Sequence, residues 1–185
     1  MKSRKRAEVE KFVESQRLQL GLDENEARNL LQQTMSDADE SRIAIQAATE
    51  NTSLEVICTL TFSKTPANEY RTMMGISPAE SVELLLSAGA DIIGANCGNG
   101  TAGMIDIVKE IRSVNKEVPL LVHANAGLPV LHNGKTEFPE SPGEMASQIK
   151  ELVVAGANIV GGCCGTTPEH IRGFVKEIRG LPVSK

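Results

Sequence analysis

Short apolar runs bounded by glycine and proline alternate along the chain with amphipathic stretches, at a spacing of roughly thirty residues, as consecutive βα units require. The runs are built from Ile, Val, Leu and Ala, the mark of strands buried on both faces of a parallel sheet. The pattern predicts strands over 56–61, 91–95, 119–124 and 158–162, and helices over 79–88, 101–113, 143–155 and 168–179. Upstream, Val9, Phe12 and Val13 amid charged positions predict an amphipathic helix over 4–20 that ends near Gly21. Asp23 with Glu26 three positions later caps a further short helix, and a helix opening at Ser36 or Asp37 runs through Ile43, Ala44, Ala47 and Ala48 to about Asn51. The stretches 63–78 and 128–141 read as loops. The first, with Pro66, Gly75 and Pro78, is too long for a plain connector and is a candidate part of a site.

This alternation predicts an α/β protein with about four to five parallel strands, half of a closed (β/α)8 TIM barrel, which needs eight strands and typically ~250 residues. The chain divides into an N-terminal helical segment, 1–35, and a half barrel, 36–185. Half a barrel has two unpaired edge strands and an apolar inner face, a state that demands a cover. The expected cover is self-association into a homo-oligomer or a second chain that carries the complementary half.

The chain also repeats internally. Moving one segment forward by 67 positions lays Ala88-Gly89-Ala90 on Ala155-Gly156-Ala157, Cys97-Gly98 on Cys164-Gly165, and Val108-Lys109-Glu110-Ile111-Arg112 on Val175-Lys176-Glu177-Ile178-Arg179. In each copy the cysteine follows an apolar run and precedes a helix, which puts both thiols at carboxyl ends of strands. Barrel enzymes carry their chemistry on that face.

Composition narrows the classes. Of 185 residues 41% are hydrophobic, but there is no Trp, one Tyr and four Phe, so the core must be aliphatic. A net charge of -5, with no basic cluster beyond Lys2 to Arg6, argues against a nucleic-acid partner. No apolar stretch approaches the ~20 residues of a membrane span and no signal-type segment follows the start, so no membrane association is expected and the location reads as cytoplasmic. Four cysteines in such a chain favour metal or redox chemistry over a disulfide framework.

Cys97, Cys163 and Cys164 are the candidate metal ligands, because three thiolates can hold one zinc ion and leave a position open. If the strands at 91–95 and 158–162 flank the strand at 119–124, Cys97 and Cys164 face each other. Cys163 can join them only where the chain leaves the extended form, a freedom that Gly161, Gly162 and Gly165 supply. A substrate thiol added as fourth ligand binds as a thiolate, which suits alkyl transfer to sulfur better than hydrolysis. Two other readings stay open: a structural site completed by His123 or Asn125, and three inert or redox thiols with Cys163 and Cys164 as an adjacent pair. Cys58, inside a strand, reads as a small buried hydrophobe. His123 reads as a hydrogen-bonded core histidine, and His132 and His170 as solvent-facing. Thr166-Thr167-Pro168-Glu169 is a helix start whose amides can meet an anionic substrate group. Asn125, in the turn Asn125-Ala126-Gly127-Leu128-Pro129, points toward the thiols.

The segments Gly94-Ala95-Asn96-Cys97-Gly98, His123-Ala124-Asn125-Ala126-Gly127-Leu128-Pro129 and Gly161-Gly162-Cys163-Cys164-Gly165-Thr166-Thr167-Pro168 closely resemble the homocysteine S-methyltransferase family, over about residues 34 to 181. The resemblance implies a (β/α)8 barrel in which Cys97, Cys163 and Cys164 bind zinc. Homocysteine adds its sulfur and takes a methyl group, giving methionine. It further implies Asn96, Asn125, Thr166 and Gln33 as substrate contacts, Asn125 also matching an asparagine that approaches the metal when substrate is absent. Gln33, in Gln33-Thr34-Met35-Ser36-Asp37, stands where the family has a glutamate for the substrate's ammonium group. Residues 29–33 would then form a strand, although their side chains favour a helix. The family's first strands have no counterpart in the sequence. Betaine, S-methylmethionine or methylcobalamin on a separate corrinoid protein are compatible methyl donors. The alternative is a non-catalytic zinc- or thiol-binding half barrel.

Overall fold

The computed structural model describes residues 38–179. The helices expected over 4–20 and after Asp23, and Gln33 with the stretch 29–33, lie outside the described residues. The description opens on helix α1 (Ala38–Asn51), whose span agrees with the helix expected to end at Asn51.

Four parallel strands follow in chain order across one sheet: β1 (Ile57–Leu60), β4 (Ile92–Asn96), β5 (Leu120–Ala124) and β8 (Ile159–Gly162). Each leads to a helix: α2 (Pro78–Ala88), α3 (Thr101–Val114), α4 (Pro142–Ala155) and α5 (Pro168–Ile178). Neighbours in sequence are neighbours in space, α1 on α2, α2 on α3, α3 on α4 and α4 on α5. A parallel sheet whose spatial order equals its chain order, flanked by helices, is the architecture of a partial (β/α) barrel preceded by a helix.

Strand register explains the core. Cys58, Ile93 and Leu120 lie side by side, as do Leu60, Ala95, Val122 and Val160 two residues further on, so both rows point to one face. Together with Met104, Ile107, Val108 and Ile111 of α3 and Met145, Ile149 and Leu152 of α4 they form one apolar cluster. Fully burying each such aliphatic side chain contributes about 1.5–3 kcal/mol. On the other face the outermost residues, Ile57 and Ile159, are 51% and 40% exposed. The expectation of strands buried on both faces therefore holds on the helix side and fails at the flanks of the opposite side, where the four-stranded sheet has no facing half among the described residues.

Helix starts follow local chemistry. Ser77 and Ser141 cap α2 and α4 through capping boxes with Glu80 and Glu144, each followed by proline in the first turn. Both stretches expected to be loops contain short antiparallel pairs. The first pairs β2 (Ser63–Lys64) with β3 (Tyr70–Arg71), and the second pairs β6 (Val130–His132) with β7 (Lys135–Glu137). The latter turns at Asn133-Gly134, with φ of 50° and 74°, the positive values that a two-residue hairpin turn needs.

Candidate metal centre

The carboxyl ends of β4, β5 and β8 lie side by side, and each continues into a short loop that carries one part of the site. After β4, Cys97 takes a left-handed conformation with φ 58°, and Gly98 follows at φ 70°. That sharp reversal is tied down by the Cys97 amide, which donates to the His123 carbonyl at 3.0 Å. A Cβ at Gly98 would stand 2.6 Å from the Phe62 carbonyl oxygen, so glycine is required there for space as well as for backbone angle.

After β8, the chain leaves the sheet at Cys163, whose amide donates to the Ala124 carbonyl at 2.8 Å. Cys164 then lies in a turn closed by Gly165 at φ 78°. This departure from the strand removes the alternation that would send adjacent side chains to opposite faces. Cys97 Sγ and Cys164 Sγ are 3.7 Å apart, and Cys163 Sγ and Cys164 Sγ 3.9 Å. All three sulfurs lie within 4.8 Å of one another, a cluster able to hold a metal ion. Cys58 is outside it, half-buried in β1 against the core, and burial pushes its thiol up to about 11.

Asn125 lies between the two loops and is 3% exposed. Its Oδ1 accepts the Cys164 amide at 3.1 Å, and its side chain also reaches Cys97. Burial pushes the Cys97 thiol up, but the Gly98 amide, the Asn125 side chain and the Cys164 and Cys163 thiols outweigh it and bring the thiol below its ordinary value. Cys163 moves the other way, to about 11, through burial and then the neighbouring Cys97 and Cys164. The loops therefore favour the charged form at Cys97 over Cys163.

The remaining expected site residues divide. Asn96 ends β4 beside His123, half-buried on the open face of the sheet. Thr166 turns its hydroxyl to the Cys163 carbonyl at 2.7 Å, which fixes the loop. His132 is exposed, as expected. His123 is not the expected hydrogen-bonded core residue: it is half-buried, its ring makes no hydrogen bond among the described residues, and burial lowers its pKa. It lies over Gly161, where a Cβ would come 2.6 Å from its Cδ2.

His170 is likewise not solvent-facing. It is 4% exposed, its Nδ1 accepts the Thr167 amide at 3.0 Å, and its Nε2 lies 3.1 Å from the Glu140 carbonyl. The position three residues past the helix cap draws the ring inward to close the α5 start. Glu140, which the sequence pattern did not single out, serves the neighbouring helix. Its carboxylate accepts from the Thr101 amide at the start of α3 and fills the space beside Gly100. The sequence signal that marks it is its place next to the Ser141-Pro142 helix start.

A parallel βα layer with a three-thiol cluster at the carboxyl ends of β4 and β8 defines a protein of the partial (β/α) barrel class with a candidate metal site. The family described as homocysteine S-methyltransferase matches residues 3–178, and the chain belongs to it. The match begins well ahead of residue 34, where the motif likeness starts. The methionine synthase of Mycobacterium leprae (strain TN) is 44% identical over 85 residues, which are 45% of this chain and 7% of that protein. The methionine synthase of Mycobacterium tuberculosis (strain ATCC 25618 / H37Rv) is also 44% identical over 85 residues, again 45% of this chain and 7% of the relative. The matched stretch thus spans a small part of these curated relatives. Among the described residues no helix is long and apolar enough to cross a membrane.

Proposed function

We propose that the chain is the thiol-activating part of a zinc-dependent methyltransferase. It transfers a methyl group to the sulfur of homocysteine or a similar small thiol, and it works in the cytoplasm with a complementary barrel half or as an oligomer. The observation that carries this reading is the sulfur triangle. Zinc–sulfur bonds of about 2.3 Å in tetrahedral array set sulfurs about 3.8 Å apart, close to the 3.7 and 3.9 Å found between Cys164 and its two partners. Zinc held by Cys97, Cys163 and Cys164 supplies the charge that keeps an incoming thiol deprotonated at neutral pH.

The protein's own residues do the rest. Asn125 accepts the Cys164 amide and hydrogen-bonds Cys97, keeping the two loops in register, and Thr166 holds the Cys163 carbonyl in the second of them. Asn96 and Asn125, with Thr166 and Gln33, contact the amino-acid part of the substrate. In the transfer, the substrate sulfur gives an electron pair to the methyl carbon, the donor leaves with the pair of the broken bond, and the thiol proton passes to solvent. Methylcobalamin on a separate corrinoid protein, betaine and S-methylmethionine are compatible donors.

The test is metal analysis and turnover on reduced, zinc-loaded protein. About one zinc per chain and methyl transfer to homocysteine, alone or with a complementary half, support the reading. A chain that stays metal-free after loading overturns it. Metal binding without turnover in any combination leaves the second reading, a non-catalytic zinc- or thiol-binding subunit, favoured by the small share of the relatives that the chain spans.

A further inference from the structure

The strands that lead to Cys97 and Cys164 are not neighbours, because β5 lies between them. Two strand spacings are about 9.5 Å, yet the sulfurs approach to 3.7 Å. Both loops therefore lean inward over the end of β5, and the sheet alone does not hold that lean. The segment Phe138-Pro139-Glu140, between β7 and α4, meets every loop concerned. At the exit of the Cys97 loop, the Glu140 carboxylate accepts the Thr101 amide and fills the space where Gly100 would carry a Cβ. At the turn after β5, the Glu140 amide donates to the Ala126 carbonyl at 3.0 Å, and a Cβ on Gly127 would stand 3.1 Å from Pro139 Cδ. At the exit of the Cys164 loop, Phe138 fills the space beside Gly165, and the Glu140 carbonyl lies 3.1 Å from His170 Nε2 at the start of α5. The Ala126 amide in turn donates to the Cys164 carbonyl at 2.9 Å, so this strap and the thiol loop share one hydrogen-bonded chain.

We infer that Phe138 and Glu140 are positioning residues for the metal centre. Neither is a ligand; together they hold the two thiol loops at the spacing one ion needs before any ion arrives. The inference rests on the reading of Cys97, Cys163 and Cys164 as a zinc site. Thiolates repel one another until a cation joins them, so loops tied only through their sulfurs would open in metal-free protein. The way α3 is capped supports the assignment. Helices α2 and α4 begin with a serine and a glutamate of their own, whereas α3, the helix after Cys97, has Gly100 at its cap and no side-chain bond from it. Its acceptor comes from Glu140 across the site, which turns a local helix start into a tie between loops. That tie is kept although Glu140 Oε2 is buried with no partner among the described residues, a costly arrangement for an acid. The strap is also stiff. Pro139 fixes one of its own backbone angles and restricts Phe138 to extended forms, and the Ser141 capping box anchors the strap's far end on α4.

The test sets Phe138→Ala and Glu140→Ala in the full chain against the parent and two controls. Glu140→Gln keeps an acceptor for the Thr101 amide, and Leu152→Ala truncates the core at the other end of α4. Zinc affinity is read by competition with a chromophoric chelator, at a temperature where each protein is folded. Both alanine variants are expected to bind zinc about 10-fold or more weakly, while Glu140→Gln and Leu152→Ala stay within about 2-fold of the parent. In metal-free protein, the hydrogen-bonded amides of Cys97, Cys163 and Cys164 should exchange faster in the alanine variants, with no change at Val122 in the middle of β5. Affinity within about 2-fold of the parent in the alanine variants overturns the inference. So does an equal loss in Leu152→Ala, which makes the effect one of overall stability. Where Phe138→Ala does not fold, Phe138→Leu takes its place. A parent that takes up no zinc defeats the proposed function, and the strap is then decided by exchange alone: cysteine amides no faster in the alanine variants overturn it.

Discussion

Cys97 Sγ lies 3.7 Å from Cys164 Sγ, although 67 residues separate the two in the chain. Each follows a strand that flanks β5, so the pairing depends on sheet order and not on a local loop. Cys97→Ser removes one of the three proposed ligands and breaks the link between the two loops. Zinc content is expected to fall from about one per chain to near zero in a metal-competition assay. Retention of full stoichiometry would mean that the metal sits elsewhere.

The thiols should differ in reactivity, because the thiolate is the nucleophile. Cys97 is held below its ordinary pKa, while Cys58 and Cys163 are pushed up to about 11. In metal-free protein near neutral pH, iodoacetamide should modify Cys97 before Cys58 and Cys163, as read by peptide mass spectrometry. Zinc should then protect Cys97, Cys163 and Cys164 and leave the rate at Cys58 unchanged.

Glu140 gives a pH prediction of definite sign. Burial raises its carboxyl above the ordinary value, against the Thr101 amide. The folded state therefore holds this proton more tightly than the unfolded chain. The contribution to stability is fully present below the unfolded value of about 4.5 and is lost as pH rises through the raised folded value. Glu140→Gln, which carries no charge, should melt higher than the parent at pH 7, and the gap should close by about pH 4. A parent that is the more stable at neutral pH would mean that the α3 terminus favours the carboxylate over its burial cost.

Arg112 and Arg179 occupy matching places in the repeat, and their substitution should have unequal effects. Arg112 donates to the carbonyls of Asn115, Val118 and Gly156 and to Asn158 Oδ1. Arg112→Ala should cost about 2–4 kcal/mol by chemical denaturation, since several acceptors lose a charged donor at once. Arg179→Ala should stay within about 0.5 kcal/mol in the isolated chain.

Gly98→Ala tests the tight turn at the metal centre. The new methyl meets the Phe62 carbonyl oxygen at 2.6 Å in a left-handed backbone of φ 70°. A loss of about 1–3 kcal/mol is expected, with weaker metal retention in the same sample. An unchanged melt and metal content would show that the loop has room to adjust.

Much of this architecture is legible in the chain because aliphatic runs and helix caps are local signals. The strands at 91–95 and 158–162 and all five described helices fall within a residue or two of the pattern. The 67-residue repeat also places the sulfurs correctly, since equal spacing puts two cysteines at equivalent strand ends. What escaped depends on contacts between distant segments. His170 reads as exposed from its polar neighbours, yet the Glu140 carbonyl, thirty residues upstream, draws its ring inward. His123 faces the open side of the sheet, a fact that only strand register decides. The hairpin at Asn133-Gly134 carries a strong turn signal, but its flanking strands are three residues each and wholly exposed, too short to leave a periodic pattern.

Thr49 on Gly89 and the exposed Val175 set the two ends of the helix layer apart. Among the described residues α1 packs on α2 at one end of the helix layer, while the strands at both ends of the sheet, β1 and β8, pair on one side only. A heterologous contact between identical subunits can run on into a fibre. An edge open at each end of the sheet is the template for such stacking, so the chain kept alone is expected to aggregate with rising concentration.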